Sequence, residues 1–251
     1  MNRRERVFAV LLFALLLGAW EIAARSLGLS ALVLPPPSRV AGALWTGLAS
    51  GYLWPHLAAT AIELLLGLAV GCAVGFGAGV LLAELPALQR QLMPYVVVSQ
   101  VVPKLALMPL FIVWFGFGLA PTVVITALIC FFPLLETTLT GLARVPPAQL
   151  ELFRMLGATR RQTLLRLKLP SGLPAVLAGL RVAVVLALVG VVVGEFIGAS
   201  RGLGALVIAA QGSMDTPLMF AVLALVSLLG LLLYQAALSL ERHLLRSYAV
   251  G

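Results

Sequence analysis

Long apolar segments alternate with short polar segments along the whole chain. A transmembrane helix needs about 20 consecutive, mostly apolar residues. Six segments meet this requirement: 7–27, 58–83, 92–115, 119–142, 174–197 and 217–240. Only a Gly-Phe-Gly sequence, 116–118, separates the third segment from the fourth, so we expect these two helices to form a tight hairpin. The pattern predicts an all-α integral membrane protein, a single domain over residues 1–251, with six transmembrane helices.

The composition supports a membrane protein rather than a soluble one. Hydrophobic residues make up 62% of the chain and charged residues only 10%, whereas a soluble domain carries about 25% charged residues. The net charge of +8 could indicate a nucleic-acid-binding protein, but such a protein gathers its basic residues on one soluble face. Here the basic residues lie between the apolar segments, so we interpret them as signals of membrane topology.

The positions of Lys and Arg predict the orientation of the helices. Cytoplasmic loops of membrane proteins carry an excess of these residues. If the N-terminus is cytoplasmic, twelve of the 17 basic residues fall on the inner side, and only Arg25, Arg39 and Arg201 fall on the outer side. We therefore expect both termini in the cytoplasm. The first apolar segment has no clean cleavage site after it, which favours a retained helix over a signal peptide.

Glycines recur at intervals of four in two of the apolar segments. Residues four apart share one face of a helix, and small residues there let two helices approach closely in lipid. We interpret these positions as helix-packing surfaces, within the chain rather than between two copies. The glycines are Gly67, Gly71, Gly75 and Gly79 in the second segment, and Gly190, Gly194 and Gly198 in and after the fifth.

The segment 146–170 is a charged stretch between two apolar ones, on the predicted cytoplasmic side. Its two prolines suit the first turn of a helix, and Gly157 can supply the left-handed residue that ends it. Thr159 and Gln162 have the spacing of a capping box, which predicts a second helix. Leucines follow until Pro170, where we expect that helix to stop. The segment could lie along the lipid headgroups, but its two anchored ends and its glycine favour docking to a cytoplasmic protein.

Several motifs of this chain resemble those of one transporter family. Glu151-Leu152-Phe153, Gly157-Ala158-Thr159 and Leu167-Lys168-Leu169-Pro170 resemble the EAA loop of membrane subunits of binding-protein-dependent ABC importers, although alanines are usual where Leu152 and Phe153 stand. Four other stretches, 102–110, 114–116, 131–133 and 195–204, resemble the nitrate, sulfonate and taurine branch, which also includes permeases for pyrimidine precursors of thiamine.

The resemblance implies a type I ABC importer fold and a role as permease subunit, located in the bacterial inner membrane. It also implies a homodimer of this chain on two cytoplasmic ATPases, supplied by an extracytoplasmic solute-binding protein. The residues it assigns to the ATPase-coupling loop are Glu151, Leu152, Phe153, Leu156, Gly157, Ala158, Thr159, Leu169 and Pro170.

No catalytic, cofactor or metal site is expected in this chain. Neither of its two lysines lies in a phosphate-binding GxxxxGK[ST] motif, so we expect ATP and Mg²⁺ to bind the partner ATPase. The two cysteines, Cys72 and Cys130, lie in apolar segments, and His56 and His243 are far apart. A membrane-embedded enzyme therefore has little support. An ion-coupled secondary transporter is the main alternative, but the inverted repeats typical of that class are not evident.

Three polar residues, Gln100, Lys104 and Glu195, are candidates for the lining of the solute pathway. A charge within a membrane helix is a functional candidate because burying it is unfavourable. A cation at Lys104 could attract an anionic or electron-rich solute, with Gln100 one turn away. Lys104 could instead pair with an acid such as Glu63, Glu136 or Glu195, and Glu195 could be a gate or an interfacial residue. The solute itself, a sulfonate, nitrate, taurine or a pyrimidine or vitamin precursor, stays open.

Overall fold

The computed structural model describes residues 3–26 and 32–246, and no strand occurs in these two ranges. The helices are α1 (Arg3–Ser26), α2 (Pro37–Ala49), α3 (Leu53–Glu84), α4 (Pro86–Val101), α5 (Met108–Phe115), α6 (Leu119–Ala143), α7 (Pro147–Met155), α8 (Arg160–Thr163), α9 (Leu169–Gly198), α10 (Leu203–Gly212) and α11 (Thr216–Arg246). A 3₁₀ turn, Lys104–Leu107, precedes α5, and a π turn, Leu164–Lys168, joins α8 to α9.

Among the residues that the structure describes, four helices are long and apolar enough to cross a membrane: α3, α6, α11 and the continuous helix Arg160–Gly198, which contains α8 and α9. A bent pair, α4 with Lys104–Phe115, makes a fifth span if it is counted as one. The first predicted segment, 7–27, falls on α1 up to Ser26, and Leu27 lies outside the described residues. The pattern did not predict α2 or α10, because each is too short to produce a membrane-length apolar segment.

The third predicted segment, 92–115, is not one straight helix, and this part of the prediction was wrong. The chain bends by 80° between α4 and the 3₁₀ turn. Val102 is extended, with φ −65° and ψ 122°, and Pro103 follows it. The ring of a proline disfavours helical backbone in the residue before it, and proline has no N–H to donate. The bend therefore follows from Pro103.

The centre of the fold consists of α6 packed between α3 and α9. The four glycines of α3 that are spaced four residues apart all face α6. A Cβ added at Gly67 or Gly79 would meet Thr126 or Thr138, and one added at Gly71 or Gly75 would meet the α6 backbone. Gly190 and Gly194 of α9 also face α6, at Thr126 and at Thr122, while Gly198 faces Met108 and Ile112 of α5. Both glycine series thus pack within this chain.

A second layer covers one side of this centre. It contains α2, α10 and α11. Buried side chains of α10 and α11 form an apolar cluster with the first residue of α3, and partly buried side chains of α2 and α9 pack against this cluster. The cluster consists of Leu53, Leu203, Leu206, Val207, Val222, Leu225 and Val226. The fold therefore holds α9 on two sides, against α6 and against this second layer.

Candidate coupling loop and solute pathway

The first helix of the loop, α7, begins and ends as the sequence predicted. Pro146 is its N-cap and Pro147 its first residue. After the helix, Gly157 has φ +69°, a left-handed conformation that residues with a Cβ adopt at a cost. The N–H of Gly157 donates to the Arg154 carbonyl at 3.0 Å and that of Ala158 to the Phe153 carbonyl at 3.0 Å. This pair of bonds is a Schellman motif, which stops α7 and redirects the chain.

The capping box at the start of the second helix is also confirmed. The Gln162 N–H donates to the Thr159 hydroxyl oxygen at 3.2 Å, and the Thr159 N–H donates to the Gln162 side-chain oxygen at 2.8 Å. These bonds satisfy two donors that have no partner within the helix. The turn between α7 and α8 is thus fixed on both sides, by a Schellman motif and by a capping box.

The expectation that Pro170 stops the second helix is wrong. The helix continues from Arg160 to Gly198, through the membrane. Pro170 has no N–H, and its ring would press on the carbonyl of Arg166 in a regular α-helix. A π turn at Leu164–Lys168 precedes the proline, and its wider backbone spacing is the adjustment that lets the helix pass it. Leu169 and Pro170 are therefore the first residues of α9.

The loop exposes apolar side chains at the end of α7. Met155 is 86% exposed, Leu156 73% and Leu152 54%. Glu151 and Thr159 are exposed beside them, whereas Phe153 and Ala158 are half-buried. The sequence pattern missed Met155, because a lone methionine in a short polar helix gives no periodic signal. An exposed apolar patch flanked by charges is a feature of protein-binding surfaces.

An ion pair joins the loop to the membrane helices. The Lys168 Nζ donates to the Glu84 Oε1 at 2.6 Å, which links the π turn before α9 to the last residue of α3. A cavity of about 770 Å³ lies beside this pair, between the α3–α4 turn and the two loop helices, and Leu150, Arg154 and Arg160 contribute to its wall. The sequence reading missed Glu84, whose partner is 84 positions away.

Lys104 and Gln100 share one cavity of about 380 Å³. Apart from these two residues its lining is apolar: Val102, Pro103, Leu105, Ile129, Phe132, Pro133, Leu186 and Val189. Within the two described ranges Lys104 makes no ion pair and no side-chain hydrogen bond, so the alternative in which it pairs with Glu63, Glu136 or Glu195 is not observed. The other cation in a predicted span, Arg181, does pair, with Glu241 at 2.9 Å.

Glu195 does not line this cavity and is not interfacial: it is 1% exposed, in the interior. The Thr60 hydroxyl donates to its Oε1 at 2.6 Å and the Gly204 N–H to its Oε2 at 2.5 Å. Thr60 also accepts the Leu203 N–H at 2.7 Å. The buried Glu63 carboxyl lies beside that of Glu195. These contacts tie α3 and α9 to the start of α10.

The close fit of Glu195 explains two glycines in the Gly202-Leu203-Gly204 sequence. A Cβ at Gly202 would overlap the Glu195 carboxyl group, and one at Gly204 would lie 2.9 Å from the Glu195 Cβ. Gly202 also has φ +133°. Glycines in this sequence could have indicated a close approach, but the residue they approach depends on the tertiary fold.

A multi-pass all-α membrane protein with a structured polar loop between its spans is typical of a transport permease. Residues 71–246 match the family described as binding-protein-dependent transport system inner membrane component. This chain belongs to that family, and it is a permease subunit of an ABC importer, located in the inner membrane.

Curated relatives align with nearly the whole chain. A riboflavin transport system permease protein of Chloroflexus aurantiacus is 40% identical over 232 residues, which cover 92% of this chain and 87% of the relative. A formylaminopyrimidine transport permease protein of Halalkalibacterium halodurans is 38% identical over 235 residues, 94% and 93% of the two chains. A taurine transport system permease protein of Escherichia coli is 31% identical over 246 residues, 96% and 90%.

A solved structure confirms the fold. A chain of the MetNI methionine ABC transporter, in an inward-facing conformation, superimposes with a TM-score of 0.60 and 23% sequence identity, covering 76% of this chain and 93% of that one. The expected all-α fold of a type I ABC importer permease is therefore correct, although its third span is bent and its fifth extends into the loop that contains α7 and α8.

Proposed function

We propose that two copies of this chain form the membrane pathway of an importer that is driven by two cytoplasmic ATPase subunits and supplied by an extracytoplasmic solute-binding protein. The loop at α7 docks on the ATPase, and both termini lie on the same, cytoplasmic side. The imported solute is small and polar or anionic. The relatives named for riboflavin, formylaminopyrimidine and taurine transport support this range of solutes.

The exposed apolar end of α7 carries the proposal. Leu152, Met155 and Leu156 present apolar surface in an otherwise charged loop. Burying such surface against a partner is favourable by roughly 25 cal/mol per Å². Since the Schellman motif and the capping box hold the backbone on both sides of Gly157, the docked helix moves with the chain that follows it.

The helix Arg160–Gly198 supplies the connection from the loop to the pathway. Its first residue follows the N-cap Thr159, and its membrane part carries Leu186 and Val189, which form part of the wall of the Lys104 cavity. A movement of the ATPase would therefore reach the cavity wall through one uninterrupted helix. In this proposal Lys104 and Gln100 line the pathway, while Glu195 holds α10 in place and does not contact the solute.

The chain itself hydrolyses no ATP in this proposal. Neither lysine follows a glycine in the way that a phosphate-binding loop requires, so ATP and Mg²⁺ belong to the partner subunit. An ion-coupled secondary transporter would require no docking surface for an ATPase, and it leaves the apolar end of α7 without a role.

Substitution of Gly157 tests the coupling role. A β-branched residue held at φ +69° costs about 1–3 kcal/mol, so Gly157→Val should disrupt the end of α7. Gly51→Val is a matched control, because Gly51 also has a positive φ, +81°, and like Gly157 has no atom within 4 Å of an added Cβ. The two variants carry the same kind of strain, and only one of them lies in the loop.

The assay is ATP-dependent uptake by the chain reconstituted in vesicles with its ATPase and binding protein. We expect Gly157→Val to lose most of the uptake while ATP hydrolysis no longer responds to the loaded binding protein, and Gly51→Val to retain both. Size-exclusion chromatography checks that each variant is folded. Undiminished uptake by Gly157→Val, or equal losses in the two variants, would refute the coupling role of the loop.

A further inference from the structure

The bend at Pro103 gives Lys104 a position that a straight helix would not. The chain leaves α4 at Val101, turns by 80° and continues in the 3₁₀ turn that Lys104 begins. Gln100 lies before the bend and Lys104 after it, and both side chains line the same cavity. The cavity wall is completed by α6, through Phe132 and Pro133, and by α9, through Leu186 and Val189.

The polar groups of this cavity are free to bind a ligand. In the part of the chain that the structure describes, neither Lys104 nor Gln100 has a side-chain hydrogen bond or an ion pair. An uncompensated cation at membrane depth is unfavourable, and the paired Arg181 shows the usual solution in the same chain. Lys104 therefore lacks the acceptor that a ligand could supply.

The shape and lining of the cavity restrict the ligand. Its volume of about 380 Å³ lies within the range of small-molecule sites, roughly 300–1,000 Å³. Two of the ten lining residues are polar, and the others include the ring of Phe132 and two prolines. One ammonium and one amide cannot replace the hydration shell of a compact anion such as nitrate or a sulfonate, so binding such an anion here would leave much of its charge unsolvated.

A flat molecule with a polar edge suits this lining better. The aromatic ring of Phe132 offers a flat apolar surface to the face of a heterocycle. The Lys104 ammonium and the Gln100 amide can donate hydrogen bonds to carbonyl or ring-nitrogen acceptors at its edge, and the Gln100 oxygen can accept from a ring amino or imino group.

We infer that the Lys104 cavity is a solute-binding site on the transport pathway, and that its ligand is a flat nitrogen heterocycle with hydrogen-bond acceptors along one edge. The inference rests on the proposed function and narrows its solute class. Lys104 and Gln100 bind the polar edge, Phe132 contacts the ring face, and Leu186 and Val189 on α9 change the site when that helix moves.

The test is competitive uptake by the complete transporter in vesicles, with riboflavin, formylaminopyrimidine and taurine as probes at equal concentrations. The variants are Lys104→Met, Lys104→Arg and Phe132→Leu. Phe13→Leu, on an exposed position of α1, is the control for loss of an aromatic ring. Binding-protein-stimulated ATP hydrolysis and oligomeric state are measured on every variant, so that loss of coupling or of dimer formation is recognised separately.

We expect uptake of at least one heterocyclic probe in preference to taurine. Lys104→Met should lower that uptake by about tenfold, the effect of losing one hydrogen bond to a charged group. Lys104→Arg should restore a substantial part of it, Phe132→Leu should lower it, and Phe13→Leu should not change it. ATP hydrolysis should stay stimulated in all four variants.

Three results would overturn the inference while leaving the proposed function intact. The first is a preference for taurine over both heterocycles. The second is import of neither heterocycle by a transporter whose ATP hydrolysis is stimulated by the binding protein. The third is heterocycle uptake that does not change in Lys104→Met. A Lys104→Met variant that fails only in dimer formation would also overturn it, since the cavity would then be an interface between copies. Failure of the wild-type chain to assemble with an ATPase would instead refute the proposed function.

Discussion

The contact between α3 and α6 makes a quantitative prediction for Gly71→Ala. A Cβ at Gly71 would lie 2.5 Å from the Ala127 carbonyl oxygen, 2.9 Å from the Ala127 Cα and 2.9 Å from the Cys130 Cβ. Two of these atoms belong to the α6 backbone, so no side-chain rotation can move them away. Gly77 is on the same helix, is exposed, and has no atom within 4 Å of an added Cβ, which makes Gly77→Ala the matched control.

Two opposing effects set the size of the change. Alanine in place of glycine within a helix is favourable by about 0.5–1 kcal/mol, and this is the only effect expected for Gly77→Ala. At Gly71 the helices must also separate or shift, and overpacking of this kind costs about 1–3 kcal/mol. We therefore expect Gly71→Ala to be less stable than Gly77→Ala by about 1–3 kcal/mol, with the control at least as stable as the wild type.

The free energy of unfolding can be measured in mixed micelles by titrating SDS into the detergent-solubilised chain and following its helical circular dichroism. Identical stabilities for Gly71→Ala and Gly77→Ala would refute the close contact between α3 and α6. Stability of Gly71→Ala above the wild type would refute it more directly, because helix propensity alone would then account for both variants.

Two further predictions concern the buried carboxyl group and the loop. Glu195→Ala should destabilise the chain by about 1–3 kcal/mol in the same SDS titration, because the Thr60 hydroxyl and the Gly204 N–H lose their acceptor. Glu195→Gln keeps an acceptor oxygen and should therefore lose less stability. Equal losses of stability in the two variants would contradict this role of the hydrogen bonds. Thr159→Ala should remove the capping box, which stabilises the helix by about 1 kcal/mol. Amide hydrogen exchange should then become faster at the start of α8, while exchange of the α9 amides in the membrane should not change. An unchanged exchange rate at Gln162 would contradict the cap.

The features of the loop that could be predicted from the sequence are local ones. The left-handed Gly157 and the pairing of Thr159 with Gln162 depend on residues within a few positions of each other, and the structure has both. The prediction that the helix ends at Pro170 was wrong, because the effect of a proline depends on the backbone before it. Here a π turn precedes Pro170 and accommodates its ring. Spacing along the sequence does not reveal such a turn.

The bend and the buried contacts required the tertiary structure. Hydropathy summed over about 20 residues contains no information on the direction of the helix axis. It therefore could not distinguish a straight third span from one bent by 80°, although Pro103 stands at the position of the bend. Lys104 stood out as a charge in an apolar segment. Its lack of a partner, and the pairing of Lys168 with Glu84, depend on elements distant in sequence.

The uninterrupted helix from Arg160 to Gly198 has a mechanical consequence. At 1.5 Å per residue its 39 residues extend for roughly 58 Å, nearly twice the thickness of the hydrocarbon core of a bilayer, about 30 Å. A rod of this length that tilts about a pivot near its middle displaces its two ends in opposite directions. In the proposed dimer, pulling the loop end of this helix towards the axis between the two copies would therefore swing its other end away from that axis, so that one tilt would close one side of the membrane while it opens the other.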